Sequence, residues 1–205
     1  MGTSHSHSTL DLLDAPLFAQ PALRSIDATR GGLVTTDAVS LRVVYTAKCI
    51  KLLNTHTNEE LLQMHWNSLG GAITLIDSVG LPVVRLQPAR GKGQYLAHRP
   101  KDRSLGLFTV NVEGDRIQTA LRYPKTGKPT QIVMERIQSW RDHVSLVCVE
   151  RGGLQQPIAR FRRAPLVRRE WQEEEEFMEV APGVDLALVA SLWCIRHHLA
   201  HFERV

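Results

Sequence analysis

The chain has 205 residues, 43% of them hydrophobic, enough for one well-filled core, and its net charge of +4 suits an anionic partner without requiring one. No stretch approaches the roughly eighteen consecutive apolar residues of a membrane-spanning helix. Cys49, Cys148 and Cys194 are odd in number, far apart and set among apolar neighbours, which excludes a disulfide scaffold and reads as buried free thiols in a reducing, cytoplasmic compartment.

Met1 to Ser8, "MGTSHSHS", has neither the positive charge nor the apolar run of a secretory signal, although Gly2 and Ser6 fit the minimal N-acylation pattern. Residues 1–39 mix Pro16, Pro21, Gly31 and Gly32 with short apolar pieces such as "LDLLDAPLF". They are expected to form an arm, partly disordered or packed on a domain spanning residues 40–205. No repeats or low-complexity tracts occur.

From Ser40 the apolar period becomes two, and "SLRVVYTAKCI" reads as a half-buried strand. "HTNEELLQMH", residues 56–65, reads as a short helical turn capped by Asn58. "GAITLIDSVGLPVVRLQ", residues 71–87, predicts a hairpin, with Asp77 and Gly80 at the first and last positions of a type I turn. A long connection is expected at 87–104.

"LGLFTVNVEGDRIQTALRYP" predicts a second hairpin turning at "EGD", and "PKTGKP" turns the chain again at 124–129. "TQIVMERIQ", "HVSLVCVER", the Gly152-Gly153 turn and "QPIARFRR" follow. About eight or more short strands in meander order favour a barrel or a sandwich over parallel βαβ units.

The chain closes with the strand "FMEVA", stopped by Pro182 and Gly183, and then a run from Leu186 to Ile195 that is apolar except for Ser191. A helix near 183–199 is expected there, with Asp185 in its first turn and Arg196, His197 and His198 at its other pole. A helix apolar on every side has to be surrounded, and the economical arrangement wraps the sheet around it. Burying Leu186, Leu188, Val189, Leu192 and Ile195 contributes about 1.5–3 kcal/mol each by area transfer.

"VAPGVDLALVASL" at 180–192, following a strand and a series of hairpins, resembles the closing motif of the Tubby C-terminal-like superfamily, particularly the LURP-one-related proteins and their fungal relatives. "ITLIDSVGLPVVRL" is similar to that family's early hairpin, and "LFTVNV" at 107–112 to the strand that follows. The resemblance covers roughly residues 40–200. It implies a mostly β fold: a closed antiparallel barrel of about twelve strands enclosing a central C-terminal helix, the shape shared by tubby domains and phospholipid scramblases. A cysteine-rich palmitoylation cluster and an acidic calcium motif of the scramblase kind are both missing, so lipid scrambling is not expected.

Two basic clusters are the candidate anion-binding or lipid-binding sites. Residues 87–104 carry Arg90, Lys92, Arg99, Lys101 and Arg103 against one acid, Asp102, and Gly91 and Gly93 leave the backbone free to approach a phosphate. "ARFRRAPLVRR" carries Arg160, Arg162, Arg163, Arg168 and Arg169, although Glu170 and Glu173 to Glu176 lie close enough in sequence to neutralise it. Arginine forks suit phosphate oxygens, and each cation near an anionic leaflet adds about 1 kcal/mol.

The basic runs lack the interleaved aromatics of a nucleic-acid binder. His197, His198 and His201 have a helical spacing that can hold zinc, but a solvated helix end explains them and no metal is expected. No nucleophile with a base, carboxylate pair or cofactor loop stands at a recognisable spacing, so no catalytic residues and no cofactor are assigned.

The expected function is therefore a non-enzymatic monomer, cytoplasmic or peripheral at a membrane, that binds anionic phospholipid or phosphoinositide headgroups or another anionic partner. Two alternatives stand beside it: a protein-interaction or accessory scaffold using the Glu-rich segment and the N-terminal arm, and a cofactor-independent isomerase, cyclase or hydrolase with a cleft at a barrel mouth.

Overall fold

The computed structural model describes residues 15–20, 27–29, 33–67, 71–89, 93–122, 129–138, 143–151, 153–165 and 174–202. Twelve strands follow one another in a meander: β1 (Val39–Tyr45), β2 (Ile50–Asn54), β3 (Glu60–Asn67), β4 (Ala72–Asp77), β5 (Pro82–Pro88), β6 (Gln94–Arg99), β7 (Asp102–Glu113), β8 (Arg116–Arg122), β9 (Pro129–Gln138), β10 (His143–Arg151), β11 (Leu154–Pro165) and β12 (Glu174–Val180). Among the described residues one helix, α1 (Leu186–Phe202), follows β12.

Each strand pairs antiparallel with its neighbours in sequence, and β1 pairs with β12 to close the barrel, Val39 standing opposite Val180 and Val43 opposite Glu176. Closure gives each of the described strands a neighbour on both sides.

Strand alternation places Leu41 and Val43, Leu62 and Met64, Val84 and Leu86, and Met178 and Val180 in the lumen, all buried. The same lumen takes α1, in which every residue from Leu186 to Ile195 is buried. Ser191, the one polar residue of that run, donates its hydroxyl to the Ala187 carbonyl at 2.6 Å and so brings no unsatisfied group into the core. The barrel wrapped around an all-apolar helix is thus the architecture found.

Asp185 sits one residue before α1 rather than in its first turn. Its Oδ1 accepts from the backbone N–H of Ala187 at 2.9 Å and of Leu188 at 3.3 Å, which makes it the N-cap. Ahead of it Gly183 adopts φ +77°, and a Cβ there would lie 2.1 Å from the Gln20 carbonyl oxygen. The described part of residues 1–39 lies against this end: Phe18 and Gln20 donate backbone N–H groups to the carbonyls of Pro157 and Pro182, and Leu33 accepts from the Leu186 N–H at 3.0 Å.

The 71–87 hairpin forms as its sequence predicts. Asp77 accepts from the Gly80 N–H through its carbonyl and from Val79 and Leu81 through its side chain. Three local expectations give way. The single strand from Ser40 is two, parted by a turn in which Thr46 Oγ1 accepts from Cys49 N–H at 3.0 Å.

Residues 60–67 are strand β3, not helix, because Leu62 and Met64 alternate into the lumen while Gln63 and His65 do not; Asn58, with φ +58°, serves the turn before it. The connection at 87–104 contains β6, whose buried Tyr95 and Ala97 were hidden between glycines and cations.

Candidate functional site at the barrel mouth

The meander gives the barrel two chemically different ends. At one, α1 begins beside the turns β2–β3, β4–β5, β6–β7 and β10–β11. At the other, the mouth, α1 ends beside the turns β1–β2, β3–β4 and β7–β8, where Arg196 donates to the carbonyl and carboxylate oxygens of Asp115 at 2.9 and 3.1 Å.

The first basic cluster is interrupted by β6. β6 is six residues long, about 20 Å. Arg99, the last residue of β6, and Lys101 in the turn after it are exposed at the end where α1 begins, and Arg99 donates to the Thr29 carbonyl at 3.5 Å. Arg103 is on β7 beside them, its side chain outside the described residues, and Arg90 and Lys92 lie outside the described residues altogether.

The second cluster lies along β11, facing β12. Arg160 is buried, with its guanidinium on Glu179 at 3.1 Å and on the carbonyl of Ala15. Arg163 pairs with Glu176 at 3.3 Å, its register partner. Of the glutamates expected to neutralise this cluster, Glu176 does so for Arg163, across the strand pair, whereas Arg160 takes Glu179, which lies outside that group. Arg162 is half-buried and stands opposite Phe177, while Arg168 and Arg169 are outside the described residues.

The mouth gathers residues that no motif brought together. In the inward rows of β1, β3 and β12, the aliphatic residues of the lumen give way toward the mouth to Tyr45, Trp66 and Glu176. Tyr45 donates its hydroxyl to Glu176 at 2.7 Å and lies 3.5 Å from His197 Nδ1. The His197 ring stacks on Trp193 with centroids 5.0 Å apart and is tilted against Tyr45 and Trp66 at 5.4 and 5.8 Å. His198 stands edge-on to Tyr95. The readable signal was the parity of Leu41, Val43 and Tyr45, and of Leu62, Met64 and Trp66, which carries core rows into aromatic residues at the same end.

Beside these rings, between the β1–β2 and β3–β4 turns, opens a cleft of about 450 Å³. Lys48, Asn67 and His198 are among its polar lining, and Trp66, Tyr45 and Ile50 supply apolar walls. Burial, the adjacent Glu176 charge and the hydrogen bond to it push the Tyr45 phenol well above its usual range, so Tyr45 stays a proton donor and is no base. Burial also pushes the Cys148 thiol up to about 12 and the Cys194 thiol well above its usual value, which leaves neither as a thiolate nucleophile.

Among the described residues whose side chains are placed, no three His, Cys, Asp or Glu side chains come together as a metal site. His201 lies on α1 with its side chain outside them. No helix is long and apolar enough to cross a membrane among the described residues.

Fold and mouth together define the class: closed twelve-stranded antiparallel barrels filled by a C-terminal helix. Within the solved structures, the chain is similar to a protein from Arabidopsis thaliana known from an X-ray structure, with a TM-score of 0.56 and 18% identity over 86% of this chain and 98% of that one. Likeness at that identity is a likeness of fold. No protein-family model matches the chain, and no curated protein matches it.

Proposed function

We propose that this chain is a tubby-like barrel that docks reversibly, without catalysis, on anionic phospholipid at a membrane surface, using the barrel end where α1 begins. The observation that carries this reading is the pairing of exposed apolar tips with cations on one end. Val79 and Leu81 on the β4–β5 turn are 75% and 56% exposed, Leu154 at the start of β11 is 68% exposed, and between these hairpins the end of β6 and the turn after it present Arg99 and Lys101. An apolar side chain that enters the acyl boundary and a cation that meets the headgroup layer act together, as a reversible two-signal attachment requires. Support for the family comes from "VAPGVDLALVASL", whose residues end β12, form the glycine turn and fill the lumen as α1.

Co-sedimentation tests the reading. The full chain should bind vesicles of phosphatidylcholine with 20% phosphatidylserine or 5% phosphatidylinositol 4,5-bisphosphate, and bind more weakly at physiological than at low salt. The double variant Leu81→Ser, Lys101→Glu should lose at least tenfold in affinity while keeping its melting temperature. Equal binding by that variant, or none by the parent, overturns the proposal.

A further inference from the structure

The cleft at the opposite mouth is a second and separate candidate. It exists because the filling of the lumen changes character. Up to Ile195 the side chains of α1 are buried and close the interior, ending with the Trp193 indole near the mouth, whereas His197 and His198 in the next turn are only half-buried, and the cleft opens between the β1–β2 turn and Asn67 and Gly71. The result has about 450 Å³ of space, within the range of sites that hold small organic ligands.

Its walls are flat and held in place. Trp66 and Tyr45 face the space from β3 and β1, and His197, which also lines it, is fixed between the Trp193 ring at 5.0 Å and the Tyr45 ring at 5.4 Å. Tyr45 is anchored in turn through its hydroxyl on Glu176. Aromatic walls that need no rearrangement favour a flat apolar body over a flexible one, because ordering costs are low on both sides.

The polar lining sets the sign of the charge. Lys48 on the β1–β2 turn, the Asn67 amide and the His198 imidazole lie around the space, and no carboxylate lines it among the described residues. Glu176, the acid that stands behind Tyr45, already meets the Tyr45 hydroxyl and the Arg163 guanidinium. A cation entering here meets Lys48, whereas a carboxylate or sulfonate meets a donor of opposite charge at the exposed rim of the cleft, and a charge-assisted hydrogen bond is roughly twice as strong as a neutral one.

We infer that the mouth cleft binds a small organic anion with a flat apolar body, an aromatic carboxylate or sulfonate in chemical class. The inference does not depend on membrane docking, which uses the other end of the barrel.

1-Naphthoate is a suitable probe, with its neutral analogue 1-naphthalenemethanol as comparator, titrated into the full chain by calorimetry. Saturable one-to-one binding is expected for naphthoate, at least tenfold tighter than for the alcohol. Lys48→Gln should weaken naphthoate at least fivefold. Ala47→Trp, a change at an exposed residue lining the cleft, should abolish binding without lowering the melting temperature.

Lys101→Gln at the far end should leave naphthoate binding as it is. Absence of saturable binding, or binding that survives Ala47→Trp, overturns the site; equal affinity for the alcohol overturns the assignment of an anion.

Discussion

Asp185 and Thr29 are joined twice: the backbone N–H and the hydroxyl of Thr29 both donate to Asp185 Oδ2 at 2.7 Å, while Oδ1 of the same carboxylate caps α1. A residue 156 positions earlier in the chain is thereby tied to the start of the central helix. All four partners are donors, so the site needs an acceptor on each side. Asp185→Asn must turn its NH₂ toward either Thr29 or the helix and should lose about 2–3 kcal/mol by urea denaturation. Thr29→Val removes the hydroxyl alone and should cost about 1 kcal/mol.

Gly183 and Gly80 form a matched pair of tests. Both have φ near +80°, but a Cβ on Gly80 meets nothing within 4 Å, whereas one on Gly183 would lie 2.1 Å from the carbonyl oxygen of Gln20. Gly80→Ala should cost about 1 kcal/mol from backbone strain alone. Gly183→Ala carries the same strain and must also push the 15–20 segment away, so its loss should exceed about 3 kcal/mol. Equal losses in thermal melts would mean that the 15–20 segment does not hold its place.

Tyr45 makes an alkaline prediction with a definite sign. Its folded value is raised above the unfolded 10.0, chiefly by burial and then by the Glu176 carboxylate. An acid raised in this way contributes stability that is intact below its unfolded value and is lost as pH rises through the folded one. Stability of the parent should therefore fall more steeply above pH 10 than that of Tyr45→Phe. Denaturation midpoints at pH 8, 10 and 11 check this, and parallel curves would place the Tyr45 hydroxyl in water.

Arg160 separates a fold arginine from a ligand arginine. With the side chain buried against Glu179 and Ala15, Arg160→Gln should cost about 1–3 kcal/mol, because the Ala15 carbonyl and the half-exposed carboxylate lose a charged donor. Vesicle affinity of the folded variant should match the parent. A selective loss of binding at unchanged stability would reverse the assignment.

What could be read from the sequence follows from where the constraints are local. The Asp77–Gly80 turn announces itself because one side chain and one glycine carry the whole geometry. The helix is legible because ten residues with one hydroxyl among them have no solvent face. β3 was misread because Leu61, Leu62, Met64 and His65 satisfy a helical spacing as well as a strand one, and only the lumen decides between them.

The mouth was illegible for a different reason: Tyr45, Trp66, Glu176 and His197 come from four elements spread over some 150 positions, and closure of β1 on β12 is what brings the first beside the third. The segment 87–104 was read as one connection because its glycines and cations hide the alternation of Tyr95 and Ala97, and only pairing with β5 and β7 makes residues 94–99 a strand.

The order of elements along the chain also has a consequence for synthesis. α1 follows all twelve strands, so the ribosome delivers the barrel's wall before its filling. Until residues 186–195 emerge, the inward rows of Leu41, Leu62, Ile73, Met134 and Ile158 have no helix to pack against, and β1 waits for β12. Most of the nascent polypeptide is thus held with its apolar surface exposed and its seam unsealed, a state that attracts chaperones and proteases. The wall closes and the lumen fills only with β12 and the helix that follows it.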